Sequence, residues 1–305
     1  MAARPARWTT PARSAIGRAD RVQRAILSDA MIEKSLLHKG CRLSYFIEGH
    51  GPPVILVQGT AVSGGAWRPQ LDALAQHFRC LWFDNRGYGK SLPLTPSLTV
   101  PQMGEDVLAL MDAEEFATAH LIGHSLGGLI ALSAASQARS RVLSLSLLNT
   151  FASGTVPTRI DRKLLWMTLR TQIGTLPMRR RAFVELVMPK PYLQQHNLDK
   201  LVEHLSALFG RELGSPPKVA MKQVLAMRKF DATPLLPGLA GLPTLVMSSR
   251  HDLLAPPSAG RLLAQALLGR YVELPDASHA APIQCPELVN QHLLEHLGRA
   301  SGAIG

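Results

Sequence analysis

The run AHLIGHSLGGLIALSAA, residues 119–135, limits the fold more sharply than any other stretch of the chain. His120 to Gly123 form a short apolar segment of the length expected for a buried strand, and the residues after Ser125 are rich in Leu, Ala and Gly, as suits a buried helix. Ser125 therefore stands at a strand-to-helix corner. Gly123 and Gly127 flank it at two residues on either side, where larger side chains would collide around a sharp, strained turn. The helix that begins beneath such a serine also favours developing negative charge. Close helix packing by Gly127 and Gly128 is the competing explanation of the glycines. A buried strand before and a buried helix after favour a nucleophile.

Around this corner the chain alternates strand and helix signals. The segments SLLHKG and CRLSYFIEG flank Lys39-Gly40 and predict a hairpin. PPVILVQG and CLWFD predict buried strands, with helices near Ala66 to Phe78 and Val100 to Glu115. Further strands are expected at His120 to His124 and Val142 to Asn149, and again at LPTLVMSS and RYVELPD. Helices near Ser258 to Leu268 and from Pro286 to Leu297 complete the pattern. Such alternation predicts an α/β fold with a mostly parallel sheet covered on both faces. The rhythm breaks at Thr150. Residues 151–235 lack a clear buried strand and carry helical spacing, as in RKLLWMTLRTQI, so the core is assigned to 31–150 and 236–305 with a helical insert between.

The net charge of +11 raises the question of nucleic acid, and its distribution answers it. Residues 1–30 hold six Arg against two acids, and residues 151–235 hold fourteen Lys plus Arg against six acids; the remainder is nearly neutral. Basicity belongs to a tail and an insert. Aromatic residues make up only 5% and no RNA-binding signature is present, so a solvated positive face is expected and no nucleic-acid partner. No apolar stretch is long enough for a membrane span. Cys41, Cys80 and Cys285 lack C-x-x-C spacing, which argues against a disulfide framework and a metal site and fits a cytoplasmic protein. Residues 1–30 lack the apolar centre of a secretory signal. They read as a flexible basic extension, either transit-like in composition or incidental to a functional start at Met31.

The ordered motifs VILVQGT, FDNRGYGKS, GHSLGG, PTLVMSSRHDLLAPP and PDASHAAPIQCPE, spread over Met31 to Leu297, resemble those of the α/β-hydrolase superfamily. The resemblance implies a sheet of about eight strands, a cap formed by 151–235, and catalysis without a cofactor. It also implies a base and an acid after Ser125 in the order Ser, acid, His. His279 lies in the loop after RYVELPD, where the family's histidine falls, and Asp252 lies on the loop leaving LVMSS. The alternative acid position, after the strand ending at Asn149, holds Asn149 and Thr150, neither a carboxylate. Asp231 and Asp276 are weaker candidates. The expected oxyanion donors are the backbone amides of Leu126 and of Thr60, the latter in a loop that carries Gln58-Gly59 where relatives usually carry His-Gly.

One competing motif fails. NRGYGKS ends like a phosphate loop, but Asp84 stands where that loop needs its first glycine. The segment matches the family's RGxGxS turn, in which Asp84, Arg86 and Ser91 are expected to brace the sheet edge. The resemblance implies a small-molecule ester or lactone substrate, with carbon-carbon bond hydrolysis or perhydrolysis on the same triad and a ligand-binding receptor as rivals. Leu, Met and Trp166 in the insert suggest an apolar pocket wall. At most one or two of Arg179, Arg180 and Arg181 could face a substrate carboxylate, as resemblance to enol-lactonases and carbon-carbon bond hydrolases allows, and a solvated face is the favoured reading. The oligomeric state has no signature in the sequence.

Overall fold

Strands β1 (Ile32–His38) and β2 (Cys41–Glu48) pair antiparallel through a two-residue turn. Lys39 and Gly40 both have positive φ, 44° and 77°, as a hairpin turn that follows the strands' twist demands. This computed structural model describes residues 31–95, 98–154 and 162–302. The basic segment 1–30 lies outside the described residues.

Beyond the hairpin the strands are β3 (Pro53–Val57), β4 (Arg79–Phe83), β5 (Ala119–His124), β6 (Val142–Leu148), β7 (Thr244–Ser249) and β8 (Arg270–Leu274). They form one sheet in the order β1-β2-β4-β3-β5-β6-β7-β8, antiparallel at β1-β2 and β2-β4 and parallel thereafter. The chain leaves β3 toward one edge and returns through β5 toward the other. This reversal opens a crevice at the C-terminal ends of β3 and β5, the place where such sheets bind ligands.

Both faces of the sheet are buried, and alternation along the strands shows it. Ile55, Val57, Leu81 and Phe83 pack on one face, and Val54, Leu56, Cys80 and Trp82 pack on the other. The first face is covered by α2 (Val100–Ala113), α3 (Leu126–Gln137) and α9 (Pro257–Leu267), the second by α1 (Arg68–Leu74) and α10 (Pro286–Ala300). Helix α3 is buried from Leu126 to Ala135, as its unbroken apolar composition requires. Helix α1 is shorter than the sequence suggests: a 3₁₀ turn occupies Gly64–Trp67, and Pro69 sits in the first turn of the α-helix that follows.

Between β6 and β7 lie the helices α4 (Arg162–Arg170), α5 (Leu176–Val187), α6 (Lys190–Gln195), α7 (Leu198–Phe209) and α8 (Lys218–Lys229). Asn197 caps α7 by accepting the Lys200 amide, and Gly210, with φ 65°, ends it. Val184, Leu186, Val187, Leu205 and Phe209 share an apolar cluster with Val62, Ala66 and Ala280 from the loops after β3 and β8. These helices thus rest on the crevice. Among the described residues no helix is long and apolar enough to cross a membrane.

Candidate active site

Ser125 leaves β5 with φ 55° and ψ −121°, a conformation that costs a non-glycine residue about 1–3 kcal/mol. Its neighbours leave the backbone no other course. A Cβ on Gly123 would come within 2.3 Å of the Gly127 carbonyl oxygen, and one on Gly127 within 2.0 Å of the Val57 carbonyl oxygen. The Ser125 amide donates to Leu148 O at 3.0 Å, while its carbonyl accepts from the Gly128 amide and from Thr150 Oγ1 at 2.7 Å. The corner is locked by β6 and by the first turn of α3.

His279, on the loop after β8, brings Nε2 to 3.1 Å from Ser125 Oγ and Nδ1 to 2.8 Å from Asp252 Oδ2. With Nδ1–H donated to the carboxylate, the Nε2 lone pair faces the hydroxyl. Asp252, on the loop after β7, is buried and accepts three further donors. The amides of Leu254 and Ala255 reach Oδ1 at 2.8 and 2.9 Å, and Asn149 Nδ2 reaches Oδ2 at 2.8 Å. Asn149, the residue at the alternative acid position, therefore holds the acid from β6, a role sequence reasoning missed. Asp231 instead accepts the Thr233 amide, and neither it nor Asp276 meets the His279 ring.

His124, next to the serine, supports the imidazole from below. Its Nε2 donates to the His279 carbonyl at 2.8 Å, and the two rings lie 5.0 Å apart. Burial and the neighbouring His279 push its pKa down to about 3, so it stays a neutral donor.

The loop after β3 is fixed from two directions. Asn85 Nδ2 donates to Gln58 O at 2.7 Å, and the Gln58 side-chain oxygen accepts the Gly59 amide at 3.2 Å. The Ala61 amide donates to Oε1 of Gln223, a fully buried residue of α8, at 2.8 Å. Thr60, between Gly59 and Ala61, lines the same cavity as Ser125. Leu126 opens α3, where the first amides have no partner within the helix. A glutamine within an amphipathic helix gives no sign in sequence of such a contact, and Gln223 was not singled out.

The segment 84–91 braces, as its motif suggests. Asp84 accepts the amides of Gly64 and Lys90 at 2.8 and 2.9 Å, and Ser91 Oγ accepts the Ser44 amide at 2.9 Å. Arg86, fully buried, places Nε 2.9 Å from Asp106 and donates to the carbonyls of His38 and Lys39.

A cavity of about 690 Å³ opens over Ser125 and His279. Phe151 and the insert side chains Leu164, Phe183, Leu186, Phe209 and Met221 form much of its wall. One expectation fails here. Trp166 does not line the cavity and is 57% exposed, because α4 turns Leu164, Leu165 and Thr168 to it instead. Arg179, Arg180 and Arg181 do not line it either, so the pocket role weighed for them, the less favoured reading, is not met; Arg180 pairs with Glu212 and Arg181 with Glu185. Among the described residues the Lys and Arg side chains that reach the cavity are Arg211, Lys218 and Arg228.

A family model described as "alpha/beta hydrolase fold" matches residues 52–286. A relative from Variovorax paradoxus, named "Putative carbamate hydrolase RutD", is 31% identical over 83% of this chain and 96% of its own. The enol-lactonase from Burkholderia xenovorans superposes with a TM-score of 0.72 at 29% identity, covering 87% of this chain and 99% of that one. A thermophilic esterase from Thermogutta terrifontis superposes with a TM-score of 0.73 at 26% identity, covering 89% and 99%.

Proposed function

The chain belongs to the alpha/beta-hydrolase fold family, and on that premise we propose that it is a serine hydrolase cleaving a carboxylic ester or lactone through an acyl-enzyme. The observation that carries this reading is the unbroken line from Asp252 Oδ2 through His279 to Ser125 Oγ, with contacts of 2.8 and 3.1 Å. Ser125 Oγ attacks the substrate carbonyl as His279 Nε2 takes its proton, and Asp252 holds the ring and stabilises the imidazolium. The amides of Leu126 and Thr60 receive the oxyanion, a contribution of about 3 kcal/mol for each donor. His279 returns the proton to the leaving alcohol, and water releases the acid by the same steps in reverse.

Residues 151–235 act as the cap, closing an apolar chamber over the serine. No cofactor enters the scheme. A carbamate carbonyl fits the same steps, and the name of the 31%-identical relative favours it as a second substrate class. The test is a fluorophosphonate probe together with a panel of p-nitrophenyl esters, lactones and carbamates. Wild type should label and turn over an ester or lactone, while Ser125→Ala should do neither and keep its melting temperature. Labelling retained in Ser125→Ala would remove Ser125 as nucleophile. Turnover of carbamates alone would shift the reading to the second class.

A further inference from the structure

The cavity over Ser125 has an uneven charge inventory. Among the described residues Arg211, Lys218 and Arg228 line it, and no Asp or Glu does. Lys218 and Arg228 are exposed and so stand at its solvent edge, whereas Arg211 is half-buried among aromatic rings. Its guanidinium carbon lies 5.0 Å from the Phe183 ring centroid and 6.0 Å from that of Phe209.

The hydrogen bonds of Arg211 explain its pose and supply no close ion pair, the nearest influences on its charge being Tyr88 and Glu212 at longer range. Nε donates to Ala61 O at 2.8 Å, and Nη1 donates to the carbonyls of Glu212 and Leu213 at 3.0 and 3.2 Å. Nη2 has no hydrogen-bond partner among the described residues, and no carboxylate pairs with the group there. The adjacent Glu212 is taken by Arg180 and by the Gly214 amide. Burial lowers the Arg211 pKa, the mark of a cation that has lost water. A partly desolvated cation without a carboxylate at ion-pair distance is unfavourable, and in a ligand cavity an anion from the ligand relieves it.

Arg211 also stands close to the chemistry. Its anchor, Ala61, is two residues from Gly59, where a Cβ would lie 3.0 Å from Ser125 Cβ.

We infer that the Nη2 edge of Arg211 is a carboxylate subsite, and that the substrate is an anionic ester or lactone with an apolar body and a carboxylate remote from the reacting carbonyl. This rests on the serine-hydrolase reading and narrows its substrate class. Lys218 and Arg228 draw the anion to the mouth, and Arg211 receives it inside.

The test compares mono-p-nitrophenyl esters of succinate, glutarate and adipate with their methyl-capped diesters, followed by p-nitrophenolate release. At least one half-ester should exceed its capped partner by about tenfold in kcat/KM, chiefly through KM, the effect of one charge-assisted hydrogen bond. Arg211→Gln should abolish that preference and Arg211→Lys should recover part of it. Equal or lower rates for every half-ester in wild type would overturn the subsite while leaving the serine mechanism standing, as would an undiminished preference in Arg211→Gln. Failure of Ser125 to label with fluorophosphonate would strike the mechanism instead. The subsite is then read from the melting temperature of the intact chain, which adipate should raise and hexanol should not. Should Arg211→Gln fail to fold, the wild-type comparison and Arg211→Lys still decide the matter.

Discussion

Helices α3 and α4 are both rich in apolar residues, yet their surroundings differ. Leu126 to Ala135 of α3 are buried on every side, whereas Leu165 and Trp166 of α4 are each 57% exposed. The same contrast separates the sheet from the helices between β6 and β7. Ser125, Asp252 and His279 follow β5, β7 and β8, and backbone bonds such as Ser125 N to Leu148 O and His251 N to Ala277 O tie them to the sheet and to one another. The cavity wall comes largely from amphipathic helices with one face in solvent, which can repack without disturbing the sheet. Damage to the first region should appear in kcat, and damage to the second in substrate preference.

The strongest challenge to that division is Asp252→Asn. An asparagine amide would hold the His279 ring in the wrong tautomer, and kcat should fall by about four orders of magnitude with an unchanged far-UV spectrum. A loss of only a few-fold would mean that the carboxylate merely fastens its loop.

Acid provides the next largest effect, and it acts on the sheet. His120 and His296 are buried, and burial pushes both pKa values from 6.5 down to about 4. Below pH 6.5 the unfolded chain binds protons that the folded chain refuses, so acid favours unfolding. Their contribution to stability is complete above about 6.5 and declines as the pH falls toward 4, by up to about 1.4 kcal/mol per unit for each histidine. Urea unfolding at pH 7 and pH 5 should show it, and His120→Gln should flatten the slope. Equal slopes in the two proteins would assign acid sensitivity elsewhere.

Gln223→Leu probes a contact by which, as with Arg211 Nε to Ala61 O, the insert holds the loop after β3. It removes the acceptor for the Ala61 amide beside Thr60, and kcat should fall by about five- to tenfold, with KM for a neutral ester changing little. An unchanged kcat would show that the oxyanion loop keeps its place without the insert. The smallest effect is expected at Trp166. Trp166→Gln should leave the unfolding free energy within about 0.5 kcal/mol of wild type, since the ring is mostly in solvent.

The same contrast explains what the sequence disclosed. Glycines at 123 and 127 report a corner because only a missing Cβ clears carbonyl oxygens at 2.3 and 2.0 Å, and that demand is local. Asp252 and His279 were legible as candidates through the superfamily resemblance, which sets the order Ser, acid, His and puts the last two on the loops that follow β7 and β8. Asn149 and Gln223 were not, since an amide side chain takes its role from whatever tertiary neighbour it meets. The insert misled for a related reason. Whether Trp166 or its neighbours on α4, and whether any of Arg179, Arg180 and Arg181 on α5, reach the cavity depends on how each helix is rotated, which spacing within one helix does not fix. Arg211 lies past the end of α7, where no period applies.

Ser125 holds a positive-φ backbone that glycine would adopt without penalty, between the buried strand β5 and the buried helix α3. Selection for thermal endurance alone would replace it with glycine. On the proposed mechanism the variant so favoured would be hardier and inert, and the alcohol kept on that bend is a sacrifice of robustness for reactivity.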